Sequence, residues 1–103
     1  MDRDKVLEIH TNLTKKAYQL IESKSLDYAG NDDCLSNFRK AERWGVSVSQ
    51  AIASRLEDKL SRLANIQNNH QINVTDESLD DTVIDAVNYI ILYYCSILDS
   101  RLK

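Results

Sequence analysis

The sequence predicts an all-α fold: four helices and no sheet, with the last helix at the centre. Three observations carry this. The chain has no proline and only two glycines, Gly30 and Gly45, and a turn-rich β fold would need more of both. Apolar residues recur at helical spacing through three long segments. The C-terminal segment is apolar around most of a helical circumference, a pattern that belongs to a helix covered by protein. At 103 residues, with 43% hydrophobic and 28% charged residues, the chain reads as one globular domain spanning 1–103. Its single core is small, so oligomerisation is a natural supplement.

The first helix is expected from about Asp4 to Asp27, with Val6, Leu7, Ile9, Leu13, Ala17, Leu20 and Ile21 at helical spacing. It ends in the polar, glycine-containing stretch Tyr28 to Asp33. A short second helix is expected from Cys34 to Trp44, stopped by Gly45, the residue type preferred just beyond a helix end. The third runs from about Val48 to Asn68, with Ser47 or Ser49 as its cap and Ile52, Leu56, Leu60, Leu63 and Ile66 as its core stripe. A polar loop, Asn68 to Asn73, leads to the fourth helix. This begins near Thr75-Asp76-Glu77, where a cap and acids favour a helix start, and continues to about Arg101.

Composition excludes several classes. A net charge of −3 and a pI near 5.3 disfavour binding to a DNA duplex, which needs a basic surface. The charged start, Met1-Asp2-Arg3-Asp4-Lys5, is no secretory signal. The most apolar run, Tyr89 to Leu98, is too short to span a membrane. Cys34 and Cys95 match no metal or redox spacing and read as small hydrophobes in a reducing cytoplasm. His10 and His70 stand alone, without a zinc pattern.

The polar residues of the fourth helix point to a site. Glu77, Asp81, Asp85 and Asn88 lie on one strip of an otherwise apolar helix. Partly enclosed carboxylates require positive charge opposite them. The third helix carries Arg55, Asp58, Lys59 and Arg62 beside its apolar stripe. Antiparallel packing of these helices would bring Asp58, Arg62, Asp81 and Asp85 into one polar pocket. The alternative is a set of solvated surface ion pairs, which contribute little.

These residues also carry a resemblance. Lys24-Ser25-Leu26-Asp27-Tyr28, Asn37-Phe38, Arg55 to Leu63 and Glu77 to Tyr89 resemble the nucleotide modification associated domain type 1 family of phages and prophages, itself similar to the all-α MazG-like nucleoside triphosphate pyrophosphatases. The resemblance covers roughly Lys24 to Leu98. It implies a MazG-like helical bundle that handles nucleotides in a bacterial cytoplasm and associates as a homodimer or homotetramer. The MazG-like enzymes hold magnesium with an E-x-x-E pair on one helix and an E-x-x-D pair on the next. Here Glu57 and Asp58 are adjacent, with Leu60 where the second acid of the first pair would stand. Neighbours on a helix diverge by about 100°, so these two acids do not face one ion easily.

Binding without turnover is therefore the first expectation. Arg55, Lys59 and Arg62 would meet phosphates, while Asp81 and Asp85 would accept hydrogen bonds from base or ribose or hold these cations in place, with Lys24 and Asn88 also among the expected ligand-binding residues. Tyr28 and Phe38, with Trp44, would offer rings for stacking. No cofactor is required for this. By analogy with phage sponge proteins, the role would be sequestration of a nucleotide, including an immune signalling nucleotide. The competing expectation is a magnesium-dependent pyrophosphatase with Asp58, Glu77, Asp81 and Asp85 as ligands. A third is a helical protein-interaction module.

Overall fold

A computed structural model describes residues 1–27, 33–68 and 76–102. Within these residues the protein is all-α, without a strand: α1 (Arg3–Asp27), α2 (Ser36–Arg39), a 3-10 turn (Lys40–Trp44), α3 (Val48–Asn68) and α4 (Asp76–Leu102). The expected limits of the long helices agree with these to within a residue or two. The expected second helix does not form as one piece. The chain instead makes one α-helical turn and then tightens into 3-10 geometry, the usual form of short helical connectors.

Local chemistry sets the element ends. The Asp2 carboxylate accepts the Lys5 N–H at 2.8 Å and caps α1. Gly45 adopts φ 77°, ψ 15° and ends the 3-10 turn. Its N–H donates to the Glu42 carbonyl, and the next N–H, of Val46, reaches back to Ala41. Ser47 rather than Ser49 caps α3. The Ser47 hydroxyl accepts the Gln50 N–H at 3.1 Å, and the Gln50 side chain accepts the Ser47 N–H at 3.0 Å, a reciprocal capping box.

The helix α4 packs against both α1 and α3, and α1 and α3 share no contact among the described residues. The pairs Lys59–Asp85 and Ser49–Ser96 fix the direction of α3 on α4. Moving back along α3 moves forward along α4, so the two run antiparallel. The core is thin: Ala17, Leu35, Ile52, Ile84 and Ala86 are its buried hydrophobic residues, and Ile52 alone is fully enclosed. The chain is also elongated, with a radius of gyration of 15.8 Å against roughly 13 Å for a compact domain of this length.

Two sequence expectations need correction. Leu60 is exposed, not part of the α3 core stripe. The residues of α3 that turn inward are Ile52, Leu56, Lys59, Leu63 and Ile66, whose alternating steps of four and three keep one face toward a packed neighbour. A partly exposed lysine thus occupies a position on this inward seam. Both cysteines are outside any disulfide and exposed on the surface rather than buried hydrophobes.

One chain does not cover α4. Ile90, Ile91, Tyr94, Leu98 and Leu102 remain exposed, Tyr94 at 62%, and four of them recur every fourth residue. The accessible surface, 8078 Å², exceeds the roughly 5,900 Å² typical of a compact monomer of this mass. By length and composition, Leu79–Leu102, with mean hydropathy 1.2, is also sufficient to cross a membrane, although the run Tyr89 to Leu98 alone is not. The helix packs on α1 and α3, with 28% of this apolar window buried.

Candidate functional site

Four polar residues of α4 meet groups from other parts of the chain. Asp85 receives the Lys59 ammonium of α3 at 3.1 Å. Asn88, buried, donates its side-chain amide to the Ala17 carbonyl of α1 at 3.1 Å. Ser96, also buried, shares a 2.8 Å hydrogen bond with Ser49 of α3. Asp99 accepts from the Arg39 guanidinium at 3.1 Å. These contacts satisfy the polar strip of an otherwise apolar helix and fix its neighbours in register.

Arg39 binds two acids at once. Its guanidinium donates to both carboxylate oxygens of Asp33, from Nε and from Nη2, and Nη2 also reaches Asp99. The hydrogen bond to Asp33 and then that to Asp99 hold the guanidinium pKa above its ordinary value. The group is therefore charged at every working pH. Asp33 further accepts the Leu35 N–H at 3.1 Å. This cluster fastens the segment from Asp33 to Arg39 onto the far half of α4.

The segment so fastened closes one side of a cleft. Lys24 and Ile21 of α1, Asn37 and Phe38 of α2, and Asp85, Asn88 and Tyr89 of α4 line a space of about 160 Å³, with Cys34 and Leu92 completing it. The Phe38 and Tyr89 rings meet edge to face, 6.4 Å between centroids at 80°. Lys59 is not in the lining but grips Asp85 from behind.

Among the described residues, two shallower grooves adjoin the cleft. One, of about 430 Å³, shares Lys24 and Asp85 with it and adds Lys16, Leu20, Asp81 and Ile84. The other, of about 450 Å³, lies on the opposite side of Asn37 and Phe38 and is lined by Lys40, Trp44, Val46, Ser54 and Arg55 among others.

The candidate residues therefore separate into groups. Lys24, Phe38, Asp85 and Asn88 share the cleft, with Lys59 behind Asp85. Asp81 is exposed beside it, and Arg55 belongs to the opposite groove. Asp58 and Arg62 are exposed on α3 and line none of these spaces, and the α3 side chain that pairs with Asp85 is Lys59 rather than Asp58. The reason is helical geometry: with Lys59 on the inward seam, its neighbour Asp58 is turned away by about 100°. Tyr28 and the side chain of Glu77 lie outside the described residues. Among the described residues, no three acidic, histidine or cysteine side chains stand together as a metal site would require. Sequence reasoning missed Asn37, Tyr89, Arg39 and Cys34. The seam spacing of α3 would have found Lys59 as the true partner of Asp85.

Compared with known proteins, the chain matches no family model, no curated protein and no solved structure.

Proposed function

We propose that this protein binds a nucleotide in the cleft between α1, α2 and α4 and sequesters it without turnover. The observation that carries this is the convergence of Lys24, Asn37, Asp85 and Asn88 around the Phe38–Tyr89 ring pair. Aromatic edges accept a planar base, amides and a carboxylate discriminate its polar edge, and a lysine at the rim meets an anion. The resemblance to nucleotide-handling phage domains points to the same ligand class. Binding in preference to hydrolysis is supported by Asp85, whose carboxylate is engaged by Lys59, and by Asp58, which is turned out of the cleft.

The proposal includes self-association as a homodimer or homotetramer in a MazG-like arrangement. The exposed apolar strip of α4 from Ile90 to Leu102 supports it, since exposed contiguous apolar surface of this kind is normally covered.

The test is a panel of linear nucleoside mono-, di- and triphosphates and cyclic nucleotides. Each is assayed for thermal stabilisation and, with magnesium, for release of phosphate or pyrophosphate. Stabilisation without release is the expected result. Hydrolysis at an ordinary enzymatic rate, lost in Asp81→Asn, would replace the proposal with the pyrophosphatase. Neither binding nor release across the panel would leave the helical interaction module.

A further inference from the structure

The cleft is too small to enclose a nucleotide. Its 160 Å³ compares with the roughly 300–1,000 Å³ of sites that enclose small molecules. A nucleotide whose base occupies the cleft extends its phosphates beyond it, and among the described residues the two adjoining grooves differ in charge.

The groove toward Lys16 carries acids as well as lysines. Its two lysines, Lys16 and Lys24, stand with Asp81 and with Asp85, and Lys59 already engages the Asp85 carboxylate. An anion entering there still meets the exposed carboxylate of Asp81. The groove beyond Phe38 presents cations without such an acid. Lys40 and Arg55 line it, no acidic residue does among the described residues, and Ser54 and Asn37 add neutral hydrogen-bonding groups. Trp44, 80% exposed, forms part of its wall. Asn37 and Phe38 line both this groove and the cleft, so a chain of atoms leaving the cleft crosses a single turn of α2 to reach the two cations.

Resting on the nucleotide-binding proposal, we infer that the groove formed by Lys40, Trp44 and Arg55 is the phosphate subsite. The ligand lies with its base between α1 and α4 and its phosphates over α2, away from Asp81. The ligand class follows: a nucleotide whose phosphates are free to extend from the ribose. Arg55 supplies a planar fork for phosphate oxygens and Lys40 a mobile point charge. The indole of Trp44, the chain's single tryptophan, reports what enters.

The experiment uses the full chain with adenosine, AMP, ADP and ATP, and the matching guanosine series, without magnesium. Binding is followed by calorimetry and by Trp44 fluorescence. Affinity rises along each series by about tenfold or more from nucleoside to triphosphate, as expected of charge-assisted phosphate contacts, and the rise shrinks with added salt. Trp44 emission shifts with the phosphorylated members and not with the nucleoside. In Lys40→Ala/Arg55→Ala the triphosphate falls to nearly nucleoside affinity, whereas Lys16→Ala retains the full series. These positions are exposed, and the unliganded melting temperature of each variant checks its fold. A series that survives Lys40→Ala/Arg55→Ala and collapses in Lys16→Ala would overturn the subsite while leaving nucleotide binding intact. A panel in which no member binds would remove both.

Discussion

The side-chain amide of Asn88 in α4 donates to the main-chain carbonyl of Ala17 in α1 at 3.1 Å, and both residues are buried. A helical carbonyl has a second lone pair beyond its main-chain bond, and here a side chain from another helix uses it. The bond joins segments 71 positions apart and fixes where α1 rests on the central part of α4. That placement sets Lys24 at the rim of the cleft.

Asn88→Ala is expected to destabilise the fold by roughly 1–1.5 kcal/mol, the lower part of the range for a lost buried hydrogen bond, because the Ala17 carbonyl keeps its helical partner. For a chain of this size that is a fall of at least about 4 °C in Tm. Urea or thermal unfolding measures it. An unchanged Tm would mean that the contact is incidental.

Lys59 and Asp85 share a seam position, each about a quarter to a third exposed. Lys59→Met alone leaves the carboxylate without its partner and should cost about 1–2 kcal/mol, between the values for exposed and fully buried pairs. Lys59→Met with Asp85→Leu should recover most of this, since apolar packing substitutes well for a partly buried ion pair. A double variant as unstable as the sum of the singles would show that the two residues do not act as a pair.

Self-association is tested on the exposed strip of α4. Sedimentation should show the wild type as a dimer or tetramer. Ile90→Glu/Tyr94→Glu should shift it toward monomer while helix content by circular dichroism is retained. A wild type that stays monomeric at every concentration would refute the oligomer.

Cys34 offers a direct assay of the cleft. Its thiol is exposed and lies in the lining, whereas Cys95 lies outside it. In Cys95→Ser, a bound nucleotide should slow reaction of Cys34 with a thiol reagent several-fold. In Cys34→Ser the rate at Cys95 should not respond. Equal protection of both thiols would point to a change in assembly rather than occupancy of the cleft.

Gly45→Ala should cost roughly 1 kcal/mol by thermal unfolding. The added methyl meets nothing within 4 Å, so the whole penalty comes from holding alanine at φ 77°. A neutral effect would show that the 3-10 turn ends without help from this residue.

Much of the fold was legible in the residues alone, because its determinants are local. The absence of proline, the helical periodicity, the glycine after Trp44 and the serine before Val48 each act within a turn or two. They place three long helices, a short connector and their caps. The identity of the polar partners was not local. Asp58 and Lys59 are adjacent, and both lie beside the apolar stripe in sequence. Only the orientation of α3 on α4 decides that Lys59 turns inward to Asp85 while Asp58 and Leu60 face outward. The cleft has the same origin. Lys24, Phe38 and Asn88 come from three segments whose meeting depends on two long-range bonds, Asn88 to Ala17 and Arg39 to Asp99. Periodicity assigns a residue to a face of its own helix; which face meets which is a property of the packed chain.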